Sequence, residues 1–308
     1  MHAPKVDQPG PLPEIARPSL TETPRRHLRN WLPALAFAII LVAVFSRPLI
    51  DWVRFAISKE RNTYLLLVPF ITAYLIRTRR REIHGHFQRS IGPGIIPAII
   101  GAASLLCLSG VADPLGRLSL QIFALLNFLL AGAFLTIGAN ILRQLTFPIT
   151  FLIFAVPVPT VIADQIEIFL QYTSAEAAYW LMSIVGIPMI RDGVNFRLPN
   201  IFIKVAQECS GYNSTFALFM VSTIAAYLFL KSPASRAILC LVVIPLAILR
   251  NGFRITTLAT LCVYDDPGWI DSELHHNGGP LFFALSLIPF FILLWWLRKA
   301  DIAKRRNT

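Results

Sequence analysis

Long apolar segments separated by short polar loops set the overall pattern of the chain. A helix rises about 1.5 Å per residue and the hydrocarbon core of a bilayer is about 30 Å thick, so most of these segments are long enough to cross it. The pattern predicts an all-α, polytopic integral membrane helical bundle with about eight transmembrane helices. The predicted spans are residues 31–45, 63–76, 91–111, 118–138, 145–162, 212–230, 235–254 and 280–297.

Two stretches between the fifth and sixth spans follow other patterns. Residues 163–186 carry polar side chains together with apolar ones at helical spacing, which predicts an amphipathic helix that is either interfacial or packed in the bundle. Residues 187–204 alternate apolar and polar positions, with Gly193 and Pro199 as turn residues. This alternation predicts a small hairpin on the outer surface.

Composition and charge agree with a membrane protein and give its orientation. Of 308 residues, 55% are hydrophobic and only 15% charged. The net charge of +11 comes from short basic clusters between apolar segments, the strongest around Arg77–Arg81, which is the pattern of the positive-inside rule and not of a nucleic-acid-binding surface. We therefore expect both termini to be cytoplasmic. The predicted organisation is a disordered arm at residues 1–27, a membrane domain at 28–298 and a basic tail at 299–308.

Three chemically capable side chains reach one depth in this topology. Cys209 immediately precedes the span that starts at residue 212, and the next span returns to the outer interface at Arg254. His275 lies just before the last span and is therefore also predicted on the outer side. The four cysteines show no spacing typical of a disulfide-rich secreted domain, which leaves one special thiol as a possibility.

A cysteine, a histidine and an arginine at one depth have the residue types that acyl transfer through a thiol requires. The imidazole takes the thiol proton and later protonates a leaving amine, while the guanidinium stabilises a thiolate or an oxyanion. Ser210, Ser214 and the backbone around Gly211 add possible donors to an oxyanion. Each residue also has an ordinary interpretation: a buried thiol packs as a small hydrophobe, an interfacial arginine snorkels to water, and a loop histidine is solvated.

Arg250 and Asn251 strengthen the catalytic interpretation. Arg250 and Arg254 are four residues apart and share one helix face, and an arginine one turn inside the membrane is costly without a partner. His276 is adjacent to His275, and the sequence does not separate their roles. If the last helix already begins here, His275 shares a face with Gly279, where a close backbone approach would be possible, and we expect His275 to be the acting residue.

These motifs together resemble the exosortase/archaeosortase group of membrane cysteine transpeptidases. The resemblance rests on Cys209-Ser210-Gly211, on Asn251-x-x-Arg254, and on the spacing from His275 to Gly279 and Phe283. It covers roughly residues 30–298. It implies that Cys209 is the nucleophile, with Arg254 and His275 completing the site, and that the substrates are exported proteins. Such substrates carry a C-terminal tail with a short Pro-Glu-Pro-like motif, one transmembrane helix and a basic cluster.

The resemblance further implies a bacterial inner-membrane enzyme that acts on the outer face, often alongside exopolysaccharide synthesis. The sequence departs from the common family pattern after Gly211, where Tyr212-Asn213-Ser214 stands instead of Leu-Arg-Ser. Glu208 also places an acid beside the thiol, which opposes thiolate formation unless Arg250 or Arg254 pairs with it. These departures indicate a subgroup with a different sorting tail. The acceptor nucleophile that resolves the acyl-enzyme stays unknown at this stage.

Two other function classes remain. A metal enzyme or metal transporter would use Cys209, Glu208, Asp271, His275 and His276, but no His-Glu-x-x-His spacing is present, so we expect no metal and no cofactor. A non-catalytic transporter or exopolysaccharide-assembly scaffold would use Asp164 and Glu167 as an ion path. Besides protein substrates, we expect membrane lipid and an acceptor nucleophile of unknown identity as partners, and no nucleic acid.

Overall fold

The computed structural model describes residues 24–58, 62–79, 89–206 and 210–306, and in this part of the chain it is a helical bundle with one small sheet. The all-α fold class is confirmed, and the protein is a multi-pass membrane protein. The helices are α1 Pro24–Val44, α2 Ser46–Ser58, α3 Tyr64–Arg79, α4 Ile91–Leu106, α5 Pro114–Thr136, α6 Ala139–Gln144, α7 Thr146–Phe151, α8 Thr160–Val185, α9 Tyr212–Phe229, α10 Pro233–Tyr264, α11 Glu273–Asn277 and α12 Gly279–Arg306. The strands are β1 Ile190–Asp192, β2 Asn195–Arg197 and β3 Phe202–Lys204.

The number of membrane spans is less simple than the sequence pattern indicates. Five helical segments of the described chain are long and apolar enough to cross a membrane, and the number rises to seven if each of two bent helix pairs counts as one span. Helix α3, the predicted second span, has only 16 residues and is not among them. The count of about eight spans therefore stays a prediction.

The stretch predicted as a loop after the first span is mostly helix α2. It follows α1 with a bend of 74°. Its apolar face packs into the bundle through Trp52 and Ala56, which are both buried, and the Trp52 indole Nε1 donates to the carbonyl of Ala155 at 2.7 Å. A helix whose apolar residues share one face can lie against a bundle, and this explains why a segment too polar to span is ordered. Upstream, α1 begins at Pro24, inside the predicted arm of residues 1–27.

The predicted fifth span, residues 145–162, is wrong as a single helix. The chain forms α7, a 3-10 turn at Leu152–Ala155 and an extended link, and then enters α8 at Thr160 after a bend of 90°. Prolines lack an amide hydrogen and disfavour a helical conformation in the preceding residue, so Pro157 and Pro159 stop one helix and permit the next to start only afterwards.

Helix α8 and the sheet confirm the predictions of a helix at residues 163–186 and of a hairpin at residues 187–204. The amphipathic segment is one helix that packs along α10, with Gly252 so close to Ala177 that an added Cβ would lie 2.8 Å from the alanine Cβ. Residues 187–204 form an antiparallel sheet in the order β1-β2-β3, which is the predicted hairpin extended by a third strand. Gly193 makes the first turn with a φ of +59°, a conformation that glycine adopts most readily.

Helix α10 is the central element and is longer than predicted. It continues past Arg254 to Tyr264, so Arg254 does not end the helix, although it still lies roughly 30 Å along the axis from Pro233 at about 1.5 Å per residue. Its first half packs against α9 and α12 around Leu239, Val243 and Phe290. Its second half packs against α8 and the sheet around Ala259 and Phe196. The second half therefore connects the membrane bundle to the small sheet.

Candidate functional site

The turn at Gly211 begins the candidate site. Gly211 has a φ of +76° and precedes the first residue of α9, and the side chain of the preceding Ser210 is buried. The Gly211 carbonyl accepts hydrogen bonds from the amide and hydroxyl of Thr215 and from the hydroxyl of Ser214, at 2.9, 2.8 and 3.0 Å. Ser214 therefore donates its proton to the turn and not to an oxyanion, in contrast to the expectation from the sequence.

Arg250 holds this turn against α10. Its side chain is only 8% exposed, and its Nη2 donates to the Gly211 carbonyl at 3.3 Å. A Cβ at position 211 would lie 3.0 Å from the same nitrogen, so the residue must be glycine both for its backbone conformation and for this close approach. The other nitrogen, Nη1, is buried and has no hydrogen-bond partner among the described residues.

Arg254 connects α10 to the short helix that carries His275. Its Nη2 donates to the His275 backbone carbonyl at 2.6 Å. The hydroxyl of Ser272 caps α11 by accepting from the His275 amide at 3.4 Å. The predicted pair Arg254 and His275 are thus in direct contact, and Arg250 lies on the same helix face one turn earlier.

The environment of His275 favours its neutral form. Burial, followed by the nearby Arg254 cation and His276, lowers the pKa of His275, while Asp271 opposes the shift. A neutral imidazole at physiological pH is able to accept a proton. Its Nδ1 is buried and makes no hydrogen bond within the described part of the chain. The His276 ring is exposed and contacts the His275 ring edge-on with 5.2 Å between centroids.

The prediction that His275 and Gly279 share a face of the last helix is wrong. Helix α11 ends at Asn277 and α12 starts at Gly279, so His275 and Gly279 do not belong to one helix. A Cβ added at Gly279 would meet no described atom within 4 Å, whereas one at Gly278 would collide with the Leu274 carbonyl. Gly278, and not Gly279, is therefore the position that has no room for a side chain, because the backbone turns there. His275 is instead distinguished from His276 by its burial and its contact with Arg254.

Hydrogen bonds extend the candidate site to Gln171 of α8 and Thr215 of α9, whose roles the sequence pattern did not predict. The Gln171 amide Nε2 donates to the Val205 carbonyl at 2.6 Å, which fixes the chain just before the Cys209 segment. Thr215 contacts Arg250 as well as Gly211, with Nη2 3.4 Å from its hydroxyl. Asn251, which the sequence did single out, is buried, and its carboxamide carbon would lie 3.5 Å from a Cβ at Gly211. Gln171 is one of several polar residues on the amphipathic α8, so its residue type alone does not distinguish it.

Two of the predicted site residues, Glu208 and Cys209, lie outside the described residues. The roles of Cys209, Arg254 and His275 stay predictions, although the structure brings Arg254, His275 and the Gly211 turn to the same part of α10.

The alternative functions receive no support from the described side chains. No group of three or more His, Cys, Asp or Glu residues there is arranged to hold a metal ion. Asp164, the first residue of the predicted ion path, is exposed on α8.

Comparison with known proteins gives one match. The family model described as transmembrane exosortase matches residues 52–292, which is most of the chain and includes every predicted site residue. No curated protein and no solved structure shows a significant match to this chain.

Proposed function

Because this chain belongs to the transmembrane exosortase family, we propose that it is a membrane cysteine transpeptidase that cleaves C-terminal sorting tails from exported proteins. The site would face the outer side of a bacterial inner membrane, with both termini in the cytoplasm. The single observation that carries the proposal is the contact of Arg254 with His275 beside the turn that follows Cys209. This contact connects two motifs that are distant in sequence.

The proposed reaction assigns each residue one role. His275 accepts the proton of the Cys209 thiol, and the thiolate attacks the carbonyl carbon of the scissile peptide bond. His275 then returns the proton to the leaving amine of the tail as the C–N bond breaks, which leaves a thioester between Cys209 and the substrate. Water or an acceptor amine then attacks the thioester, and the thiol is regenerated.

The two arginines supply positive charge where negative charge develops. Arg254 fixes the backbone of His275 through a hydrogen bond to its carbonyl, and in the proposed reaction its guanidinium stabilises the thiolate or the oxyanion. Arg250 lies deeper and fixes the Gly211 turn, so it positions the nucleophile segment. Arginine suits both places because its planar group makes several directed hydrogen bonds and stays charged.

Mass spectrometry of candidate substrates tests this proposal. The enzyme is co-expressed with exported proteins that carry a C-terminal tail of one transmembrane helix and a basic cluster, and their mature C-termini are weighed. We expect a new C-terminus upstream of the transmembrane helix with wild-type enzyme and none with Cys209→Ala. Additional mass at the new C-terminus would identify transfer, whereas the free acid would identify hydrolysis. Unchanged C-termini across all tail-bearing proteins would contradict the proposal.

A further inference from the structure

The outer edge of β3 presents backbone amide and carbonyl groups that pair with no other described strand. In the hairpin of β2 and β3, the Leu198 amide donates to the Ile201 carbonyl at 2.9 Å and the Val205 amide to the Val194 carbonyl at 3.0 Å. Since antiparallel pairs alternate between hydrogen-bonded and non-hydrogen-bonded, residues 201, 203 and 205 face β2. The amide and carbonyl groups of Phe202 and Lys204 consequently point away from the sheet.

No described strand covers this edge. The sheet has the order β1-β2-β3, so β3 is an edge strand within the described part of the chain. The side chains of Phe202 and Lys204 are both exposed, Phe202 to 58%. An edge strand with free amide and carbonyl groups is a template to which an extended peptide can add as a further strand.

The edge is held rigidly next to the nucleophile segment. Beyond Lys204, Val205 is anchored through its amide to Val194 and through its carbonyl to Gln171 of α8. Ser210 follows Lys204 by six positions in sequence, and an extended chain spans at most about 3.6 Å per residue. The described end of the nucleophile segment at Ser210 therefore lies within about 22 Å of the edge. An extended peptide paired with Phe202 and Lys204 covers that distance with about seven further residues.

From this geometry we propose that β3 binds the extended segment of the substrate that adjoins the scissile bond, by addition of that segment to the sheet as a fourth strand. The inference rests on the proposed peptide-cleaving function and adds how the substrate is held. Backbone hydrogen bonds from Phe202 and Lys204 fix the register and leave the side chains of the substrate free to vary. The occupant is an extended peptide, since a helix has no free amide and carbonyl groups to pair with a strand.

An N-methyl scan of the substrate tests the pairing. Synthetic peptides cover the cleaved region of a protein whose processing has been shown, each with one backbone amide methylated, and cleavage is measured with full-length enzyme in detergent. In an added strand every second amide faces β3, so methylation at alternate residues should raise KM about tenfold or more, because the bond is lost and the methyl group collides with the edge. Methylation at the intervening residues should change KM less than threefold.

Proline at position 204 provides the matched test on the enzyme. Lys204→Pro removes one edge amide, and an edge strand tolerates proline, whereas Lys204→Ala retains the amide and removes the charged side chain. We expect about a threefold to tenfold higher KM for Lys204→Pro, and a KM close to wild type for Lys204→Ala at equal membrane abundance.

The outcomes separate this inference from the proposed function. Wild-type cleavage without an alternating N-methyl pattern, or with equal KM for both Lys204 variants, would overturn strand addition and leave the enzyme assignment intact. If Lys204→Pro fails to accumulate, the peptide scan alone decides, because it leaves the enzyme unchanged. Absence of cleavage by wild-type enzyme would contradict the proposed function and this inference with it.

Discussion

The buried polar groups at the two ends of α10 differ in whether they have hydrogen-bond partners. Near its start, the Asp301 carboxylate of α12 accepts from the amides of Lys231 and Ser232 at 2.8 and 3.0 Å and from the Ser235 hydroxyl at 2.6 Å. In the second half, Arg250 Nη1 and His275 Nδ1 are buried without a partner among the described residues. One end of α10 therefore packs against a polar cluster whose hydrogen bonds are all made, the saturated cluster around Asp301. The other end lies at a cluster with buried atoms that make no hydrogen bond to the described residues, the unsaturated cluster of Arg250 and His275.

We infer from this difference that the saturated cluster stabilises the fold and that the unsaturated cluster serves activity. A saturated buried cluster offsets its desolvation cost and fixes how the helices pack, whereas an unpaired buried group costs free energy until something binds it. Thr72 Oγ1 and Ser174 Oγ also have no hydrogen-bond partner among the residues that the structure describes, but a hydroxyl costs less to bury than a guanidinium. Substitutions at the unsaturated cluster should therefore change activity with little effect on folding, and substitutions at the saturated cluster should do the reverse.

Replacement of the nucleophile has the largest expected effect on activity. Cys209→Ser should reduce processing by at least about a thousandfold and leave membrane abundance unchanged, because a hydroxyl is not activated by a site built for a thiol. Processing is measured from the mature C-termini of co-expressed substrate. Cys262→Ser is the control, since Cys262 is buried in α10 and its thiol contacts the Pro267 carbonyl at 3.8 Å. Equal loss of processing in both variants would indicate structural cysteines.

Arg254 should tolerate even a conservative change poorly. Arg254→Lys should lose about a hundredfold in kcat/KM, nearly as much as Arg254→Ala, because an ammonium does not reproduce a planar donor group that holds the His275 carbonyl. Arg250→Lys should lose less, about tenfold, since Arg250 contacts the turn and not His275. A normal rate for Arg254→Lys would mean that the residue supplies only charge.

The two adjacent histidines should differ clearly. His275→Ala should remove processing, whereas exposed His276→Ala should retain at least about a third of the wild-type rate. Since burial and Arg254 lower the pKa of His275, the base form is present at pH 7, and the rate should fall only as the pH drops below the ordinary histidine value of about 6.5. Loss of activity in His276→Ala alone, or an acidic limb well above pH 6.5, would reverse the assignment.

The saturated cluster should affect stability and not chemistry. Asp301→Asn removes the charge that accepts three hydrogen bonds, so the thermal unfolding midpoint in detergent should fall by a few degrees, equivalent to about 1–2 kcal/mol. KM and kcat at a permissive temperature should stay within about twofold of wild type. A selective loss of kcat with an unchanged midpoint would show that this end of α10 communicates with the site.

The long apolar segments made most of the bundle predictable. Helices α4, α5, α9, α10 and α12 match predicted spans because continuous apolar sequence of that length has few other stable arrangements in a bilayer. A bend at Pro157 and Pro159 was predictable, but the complete break between α7 and α8 was not, because an apolar run interrupted by prolines resembles one kinked helix as well as two. Helix α2 was not predicted, because it is short and apolar on one face only, so its sequence does not resemble a membrane span.

The residues of the candidate site were predictable from the sequence, whereas the contacts between them were less so. The order of the motifs indicates which residues share a depth, and Arg254 and His275 do meet. The contact runs through the His275 backbone carbonyl, which no pattern of side chains in a sequence reveals. Gln171 and Thr215 contribute through hydrogen bonds to carbonyl groups, so tertiary packing, and not local sequence, determines their roles.

The dependence of Cys209 alkylation on pH tests the central claim most directly. Full-length enzyme with Cys107, Cys240 and Cys262 replaced by serine is alkylated in detergent over a range of pH, with and without His275→Ala and with His276→Ala as the control. If His275 takes the thiol proton, Cys209 should react at lower pH in the parent enzyme than in His275→Ala, and His276→Ala should follow the parent. Superimposable profiles for the parent and His275→Ala would contradict the account.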